Sequence, residues 1–120
     1  MTQQDKDLLL RDLCARLPYG VYVYADGLGN YKLSSIELYK GNVIIEINEE
    51  KLPYHLYEIK PYLRPMSSMT HSEYDEYLRI KTHGKPFEVI DWLNARHIDY
   101  RKLIEKGLAI AVTDGNNPYK

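Results

Sequence analysis

The spacing of apolar residues changes twice along the chain, and this change constrains the fold more than any other feature of the sequence. From residue 3 to residue 17 apolar side chains recur at steps of three and four, the spacing of one helical face. From Val21 they alternate with polar ones, as in a strand exposed on one face, and after Thr70 the helical spacing returns. Helix, strands and helices in that order predict an α+β domain.

The first helix is predicted to begin after Thr2, an N-cap residue type, and to end before Pro18, because proline disfavours the helical conformation of the residue before it. Its predicted buried stripe consists of Leu9, Leu10, Leu13, Cys14 and Leu17. Cys14 is interpreted as a small apolar side chain in the core rather than a reactive thiol.

Four strands are predicted at 21–25, 31–39, 43–47 and 56–60, forming an antiparallel meander. Gly41-Asn42 is typical of a two-residue hairpin turn, which would place Leu38 opposite Ile45 and Glu37 opposite Glu46. Opposed carboxylates could bind a metal or exchange protons, but a solvated face is the favoured interpretation. Pro61 and Pro65 predict that the chain leaves the sheet there, since proline cannot donate to a strand ladder.

Two or three helices are predicted in the rest of the chain. Thr70 and Glu73 match a capping box, followed by a buried face of Tyr74, Tyr77 and Leu78. Pro86 suits the first position of the next helix, whose predicted buried side contains Phe87, Ile90, Leu93 and Trp92.

Asp99 is predicted to cap a short last helix that ends at Gly107, with Leu103 and Leu108 in contact. Residues 108–112 are a candidate edge strand. Residues 1–120 are predicted to form one domain, in which 113–120 is a flexible tail. The alternative architecture is a small SH3-like or Sm-like barrel with appended helices.

The sequence contains no residue set typical of a catalytic, metal or cofactor site. It has one cysteine and four histidines, and the histidines follow no metal-ligand spacing. His97 and Asp99 resemble a base and its orienting carboxylate but are interpreted as a structural junction. Gly27-Leu28-Gly29 lies between two predicted strands, so it is interpreted as a hairpin loop and not as a phosphate loop. We therefore predict a protein that is not an enzyme and that needs no cofactor.

Charge and hydropathy limit the partners further. Sixteen basic and seventeen acidic residues give a formal charge of −1, so no overall field attracts the chain to nucleic acid or to an anionic membrane. The sequence has neither a membrane-length apolar run nor a pattern typical of a signal peptide, and a cytoplasmic location is expected.

The twelve tyrosines indicate where a partner could bind. Tyrosine combines a large apolar ring with a hydroxyl group and therefore suits boundary positions and interfaces. Tyr22, Tyr24 and Tyr39 are predicted on the second face of the sheet. The favoured interpretation is that the C-terminal helices cover this face and the tyrosines form a second buried layer; the alternative is an exposed aromatic patch that binds a partner. Together with Tyr62 and Arg64 the three tyrosines form the candidate interaction surface. The expected partner is another protein; association with nucleic acid is the alternative.

Three segments carry a resemblance to a known group of proteins. They are DLCARLPYG at 12–20, KPYLRPMSSMT at 60–70, and the WLN, H, DYR, LI and KGLA pattern between 92 and 109. With these segments the chain resembles a family of short uncharacterised proteins from gut anaerobes and their phages or mobile elements. The resemblance implies a small intracellular protein of phage or mobile-element origin, and it implies no activity.

Overall fold

The computed structural model describes residues 1–39, 42–47 and 50–120. An N-terminal helix is followed by strands and then by two helices, which confirms the α+β prediction. The elements are α1 (Gln3–Arg16), β1 (Tyr22–Ala25), β2 (Gly29–Lys32), β3 (Ser35–Tyr39), β4 (Asn42–Ile47), β5 (Glu50–Tyr54), β6 (Ile59–Leu63), α2 (His71–His83), α3 (Pro86–Ala95) and β7 (Ile110–Ala111). Short 3-10 turns occupy Leu17–Tyr19, Leu56–Glu58 and Met66–Ser68.

Helix α1 begins where the sequence predicts, and four residues of its predicted stripe lie in or pack against the apolar core: Leu9, Leu10, Leu13 and Leu17. The Thr2 hydroxyl accepts a hydrogen bond from the Asp5 amide at 3.0 Å, and the Asp5 carboxylate accepts one from the Thr2 amide at 3.1 Å. The predicted burial of Cys14 is wrong, because its side chain is exposed. The buried positions of the helix are Leu9, Asp12, Leu13 and Arg16.

The strands form two sheets rather than one meander. The first has the order β2-β1-β6-β7, with β6 and β7 parallel, and the second has the order β3-β4-β5. The predicted strand 31–39 is divided because the Leu33 amide donates to Val21 in the first sheet, whereas the Ser34 amide donates to Glu46 in the second. The parallel pair distinguishes this architecture from the barrel alternative, whose meandering strands are antiparallel.

The register of the second sheet differs from the prediction by two residues. Leu38 pairs with Val43, Glu37 with Ile44 and Ser35 with Glu46. The predicted Glu37–Glu46 carboxylate pair is therefore wrong, and the Ser35 hydroxyl donates to the Glu46 carboxylate at 3.1 Å. The predicted Gly41-Asn42 turn includes Gly41, which lies outside the described residues.

Pro61 remains inside the first sheet, contrary to the prediction. It pairs with Val23 in the middle of β6. The Leu63 carbonyl accepts from the Val112 amide on the side of β6 that faces β7. Backbone groups two residues apart in a strand face the same side, so the nitrogen of Pro61 also faces β7. Strand β7 pairs only with Tyr62 and Leu63, so at Pro61 no neighbouring strand requires the missing donor.

Two apolar clusters hold these elements together. The larger lies between α1, the inner face of the first sheet and the chain after Leu103, and it includes Leu9, Leu13, Val21, Val23, Ile59, Leu63, Leu103 and Leu108. The smaller is formed where α2 packs on α3, and it contains Trp92, Leu93 and Ile98 with Tyr77, Ile80 and Val89 at its edge.

The predicted starts of α2 and α3 are confirmed, but their buried faces are only partly so. Thr70 and Glu73 form the capping box, and Pro86 occupies the first turn of α3. Tyr77, Trp92 and Leu93 pack in the smaller cluster as expected. The predicted burial of four other side chains is wrong, since they are exposed: Tyr74, Leu78, Phe87 and Ile90.

The predicted last helix is instead a set of turns between Asp99 and Gly107. Gly107 has φ of 73°, its amide donates to Ile104, and the Leu108 amide donates to Leu103. This is the glycine-terminated hydrogen-bond pattern expected at a helix end, with Leu103 and Leu108 in the same apolar cluster. Residues 110–111 form the expected edge strand.

The C-terminal segment, predicted as a flexible tail, packs against the first sheet. The Tyr119 hydroxyl donates to the Tyr62 carbonyl at 2.6 Å and accepts from the Tyr22 amide at 3.1 Å. Its ring stacks on His97 with centroids 4.2 Å apart. These contacts span most of the sequence, and local residue types gave no signal for them.

Candidate functional site

The four residues of the predicted interaction surface whose side chains the structure describes do not form one exposed patch. Tyr22 and Tyr24 are half-buried on the outer face of the first sheet. Tyr62 is on the same face but only 3% exposed, and its hydroxyl donates to Asn30 at 2.5 Å. Because it is buried, Tyr62 is removed from the candidate surface. The side chain of Tyr39 lies outside the described part of the structure.

Arg64 connects two structural elements through its guanidinium. Its guanidinium donates to both carboxylate oxygens of Glu73, at 2.9 and 2.7 Å, and also to the carbonyl of Ser68. The hydrogen bonds from Arg64 are the main reason that the pKa of Glu73 falls from 4.5 to about 2. Arg64 thus fixes the end of β6 to the first turn of α2.

A cleft lies beside this junction, and we call it the Tyr100 cleft. Its walls include Pro65, Met66, Tyr77, Tyr100, Lys102 and Ile104, and its volume is about 570 Å³. The 3-10 turn after β6 supplies Met66, α2 supplies Tyr77, and the turns after α3 supply Tyr100 to Ile104. Apolar side chains form much of the walls, while Lys102 adds one positive charge and Asp99 and Glu105 add two negative charges.

The position of Tyr100 is fixed by a buried ionic cluster behind the cleft. Its hydroxyl donates to Asn94 at 2.8 Å, and the guanidinium groups of Arg16 and Arg101 lie 5.3 and 4.6 Å from its ring centre. Asp12 accepts from both arginines, at 2.9 and 2.8 Å. Asp12 and Arg16 are completely buried, so this pairing offsets part of the desolvation of both charges.

Asp99 and Lys102 shape the turn that forms one wall of the cleft. The Asp99 carboxylate accepts from the Leu103 amide at 3.0 Å and from the Ile104 amide at 2.9 Å, so it holds a turn and does not cap a helix as predicted. Lys102 has φ of 63°, a left-handed conformation that is unfavourable for a residue with a Cβ. Such strained residues occur often at binding sites.

His97 also adopts a left-handed conformation, with φ of 57°. Burial, with smaller contributions from the charges of Arg16 and Arg64, lowers the pKa of His97 to about 4. The ring is therefore neutral at pH 7 and stacks on Tyr119. His97 thus packs on Tyr119, whereas Asp99 binds the backbone amides of the following turn, so the two side chains have separate roles.

Sequence reasoning missed the Tyr100 cleft because its parts are far apart in the chain. The one available signal was in α1, where Asp12 and Arg16 are four residues apart and lie beside Leu9 and Leu13 on the helical wheel. Two opposite charges on an apolar stripe indicate a buried ion pair. The distance from Asp12 to Arg101 along the chain left the rest of the cluster without a local signal.

The described residues also bear on metal binding and membrane insertion. Those residues contain no group of three or more His, Cys, Asp or Glu side chains placed to hold a metal ion. None of the helices formed by the described residues combines the length and apolarity needed to cross a bilayer.

Comparison of the chain with protein-family models, with curated proteins and with solved structures found no match. The fold and the candidate site therefore define the protein as a small α+β chain with an apolar, charge-rimmed cleft beside the α2–α3 pair.

Proposed function

We propose that the protein is a non-catalytic interaction domain that binds a peptide segment of another protein in the Tyr100 cleft. The supporting observation is a preformed recess of about 570 Å³ with Met66, Tyr77 and Tyr100 in its walls. Recesses of this kind receive the large side chains that contribute most of the affinity in protein interfaces.

The charges in and behind the cleft are balanced in sign, with Lys102, Arg16 and Arg101 against Asp12, Asp99 and Glu105. Both carboxylate oxygens of Asp99 accept from backbone amides, at 3.0 and 2.9 Å, so Lys102 and Glu105 are the charges that a partner meets at the opening. A partner segment that fits the cleft therefore carries a large apolar anchor beside an acidic residue that pairs with Lys102.

Exposed apolar residues on α2 and α3 support the same proposal. Tyr74 and Leu78 on α2, and Phe87 and Ile90 on α3, are each at least 38% exposed. Large apolar side chains grouped on a helical pair are typical of surfaces that bind other proteins. Tyr77 connects the two regions, because it packs near Trp92 of α3 and also lines the cleft.

Selection from a displayed random peptide library tests the proposal. We expect enriched peptides to share a large apolar residue next to an acidic one. Met66→Glu and Lys102→Glu should each weaken binding of such a peptide by about tenfold or more, as measured by fluorescence polarisation.

Leu28→Glu is the matched control for Met66→Glu, since Leu28 is similarly exposed but lies in the β1–β2 loop. It should leave peptide affinity unchanged. Failure to enrich any common peptide, or equal losses in Leu28→Glu and Met66→Glu, would refute binding in this cleft.

A second candidate function is association with nucleic acid, and the first sheet favours it. Lys32 pairs with Tyr22 and Lys60 pairs with Tyr24, so cations and aromatic rings adjoin on its outer face. A salt titration of binding to mixed nucleic acid distinguishes the two functions, because phosphate contacts weaken steeply as salt rises. For either function we propose a cytoplasmic location and a phage or mobile-element origin.

A further inference from the structure

A second cleft opens at the other end of the first sheet, and we call it the Tyr57 cleft. It is lined by Tyr24, Asp26, Tyr57, Glu58, Lys60 and Ile110 and has a volume of about 360 Å³. The Asp26 amide donates to the Glu58 carbonyl at 3.1 Å, which joins the β1–β2 loop to the turn before β6. Tyr24 and Lys60 are register partners in adjacent strands. The cleft is therefore built on a hydrogen-bonded frame.

The aromatic wall of this cleft is already arranged for stacking. Tyr57 is 58% exposed, and one face of its ring stacks on His55 with centroids 5.0 Å apart and planes 6° apart. Tyr57 also lines the cleft, so a planar ligand bound there can stack on its exposed ring. Stacking of a base on an exposed aromatic ring is a common source of affinity in proteins that bind single-stranded nucleic acid.

The polar groups of the cleft have unused hydrogen-bonding capacity. Glu58 uses one carboxylate oxygen to accept from the His55 amide at 3.0 Å, which fixes the side chain and leaves the other oxygen free of bonds to the described residues. Asp26 and Lys60 are exposed, and neither side chain has an ion-pair or hydrogen-bond partner among those residues. The cleft thus offers carboxylate acceptors and one ammonium donor next to two tyrosine rings.

We propose that the Tyr57 cleft binds a guanine base. Guanine is planar, and one edge carries the N1–H and N2–H donors that a carboxylate accepts, beside the O6 and N7 acceptors that suit a lysine. Adenine presents a single amino group and would use one carboxylate bond. A guanidinium group from a partner would satisfy the carboxylates and rings but would place a like charge beside Lys60. Of these three ligands, only guanine would engage the carboxylates, the lysine and the tyrosine rings together.

Titration with 5′-GMP and 5′-AMP, followed by backbone amide chemical shifts, tests this assignment. We expect 5′-GMP to bind at least about tenfold more tightly than 5′-AMP, the discrimination typical of one bidentate base contact. The shifts should map to Tyr24, Tyr57 and Lys60. Met66→Glu should leave 5′-GMP affinity unchanged, so the outcome is independent of the peptide-binding proposal.

Two substitutions test the roles of the Asp26 carboxylate and the Tyr57 ring in binding. Asp26→Asn replaces a charged acceptor with a neutral amide and should weaken 5′-GMP binding by about tenfold, while Asp114→Asn, at an exposed turn far along the chain, should not. Tyr57→Leu should also weaken binding by about tenfold, against Tyr19→Leu as the control. Equal affinities for the two nucleotides, or parental affinity in Asp26→Asn, would overturn the proposal.

A further binding measurement distinguishes a free nucleotide from a nucleic acid strand as the source of the base. It compares the affinity of a short thymine oligonucleotide that has one central guanine with the affinity of the all-thymine strand. If the guanine-containing strand binds much more tightly than 5′-GMP, the base belongs to a nucleic acid strand that also contacts Lys60 and Lys32. If it binds no more tightly than 5′-GMP, the ligand is a free guanine nucleotide. If the guanine-containing strand binds no more tightly than the all-thymine strand, the cleft does not recognise guanine.

Discussion

At the scale of single residues, the turn beside the Tyr100 cleft holds one residue in an unfavourable conformation. Lys102 has φ of 63° without being glycine, and its backbone carbonyl accepts from the Lys106 amide at 3.3 Å. Glycine adopts this region without steric cost, whereas a side chain costs about 1–2 kcal/mol.

Lys102→Gly should therefore raise the free energy of unfolding, by up to about 1 kcal/mol after allowance for the greater flexibility of unfolded glycine. Urea denaturation at unchanged slope measures this gain. Lys106→Gly, in the same turn but without positive φ, is the control and should lower stability slightly. A loss of stability in Lys102→Gly would show that the conformation is not strained.

At the scale of elements, the Arg64–Glu73 ion pair joins the first sheet to the helical pair. Glu73 serves two purposes, because it also accepts from the Thr70 amide at 3.0 Å in the capping box of α2. Arg64 makes backbone bonds to the segment after α3, with its amide donating to His97 and its carbonyl accepting from Asp99. The Arg64–Glu73 pair thereby holds β6, α2 and the wall of the Tyr100 cleft together.

This ion pair should make the protein sensitive to acid in a defined range. The folded pKa of Glu73 is about 2 against 4.5 for the unconstrained group, so its contribution to stability is complete above pH 4.5. It is lost as pH falls from 4.5 toward 2, because the unfolded chain binds the proton first. Urea denaturation at a series of pH values should show this fall in the parent.

Glu73→Gln removes the titrating group and should have a flatter pH dependence between pH 4.5 and 2, with lower stability at pH 7. Asp75→Asn, on the same helix but with an exposed carboxylate, is the matched control and should retain the parental slope. Parental acid sensitivity in Glu73→Gln would assign the effect to another group.

At the scale of the whole molecule, the last residues of the chain pack against the first sheet. Tyr119 reaches the backbone of both β1 and β6 and covers His97, and burial raises the pKa of its phenol. It also meets the ring of Tyr22 edge-on, with centroids 5.3 Å apart. The C-terminal segment is thus part of the packed domain.

Tyr119→Ala should destabilise the protein by about 3 kcal/mol, since it removes a mostly buried ring and two hydrogen bonds. Tyr119→Phe keeps the stack on His97 and should cost only about 1–2 kcal/mol, the value of the lost hydroxyl contacts. Thermal or urea denaturation measures both. The exposed Tyr57→Ala should be nearly neutral, and equal stability of Tyr119→Ala and the parent would mean that the tail does not pack in solution.

The sequence alone determined the features that depend on neighbouring residues. The caps at Thr2 and Thr70 and the proline start of α3 were predicted correctly, and Gly107 makes the predicted bonding pattern although the helix predicted before it is a set of turns. Each depends on side chains and backbone groups within about five positions, so the chemistry of a short segment specifies it. The order helix, strands, helices follows from apolar spacing in the same local way.

The tertiary structure decided the features that depend on distant contacts. Asp12 and Arg16 are buried because Arg101 and Tyr100 pack over them, and Pro61 fits inside β6 because β7 ends short of it. The Tyr100 cleft requires three segments that only folding brings together, and Tyr119 finds its partners across nearly the whole chain. Residue types identify groups that need a partner, but the partner is selected by packing of the complete core.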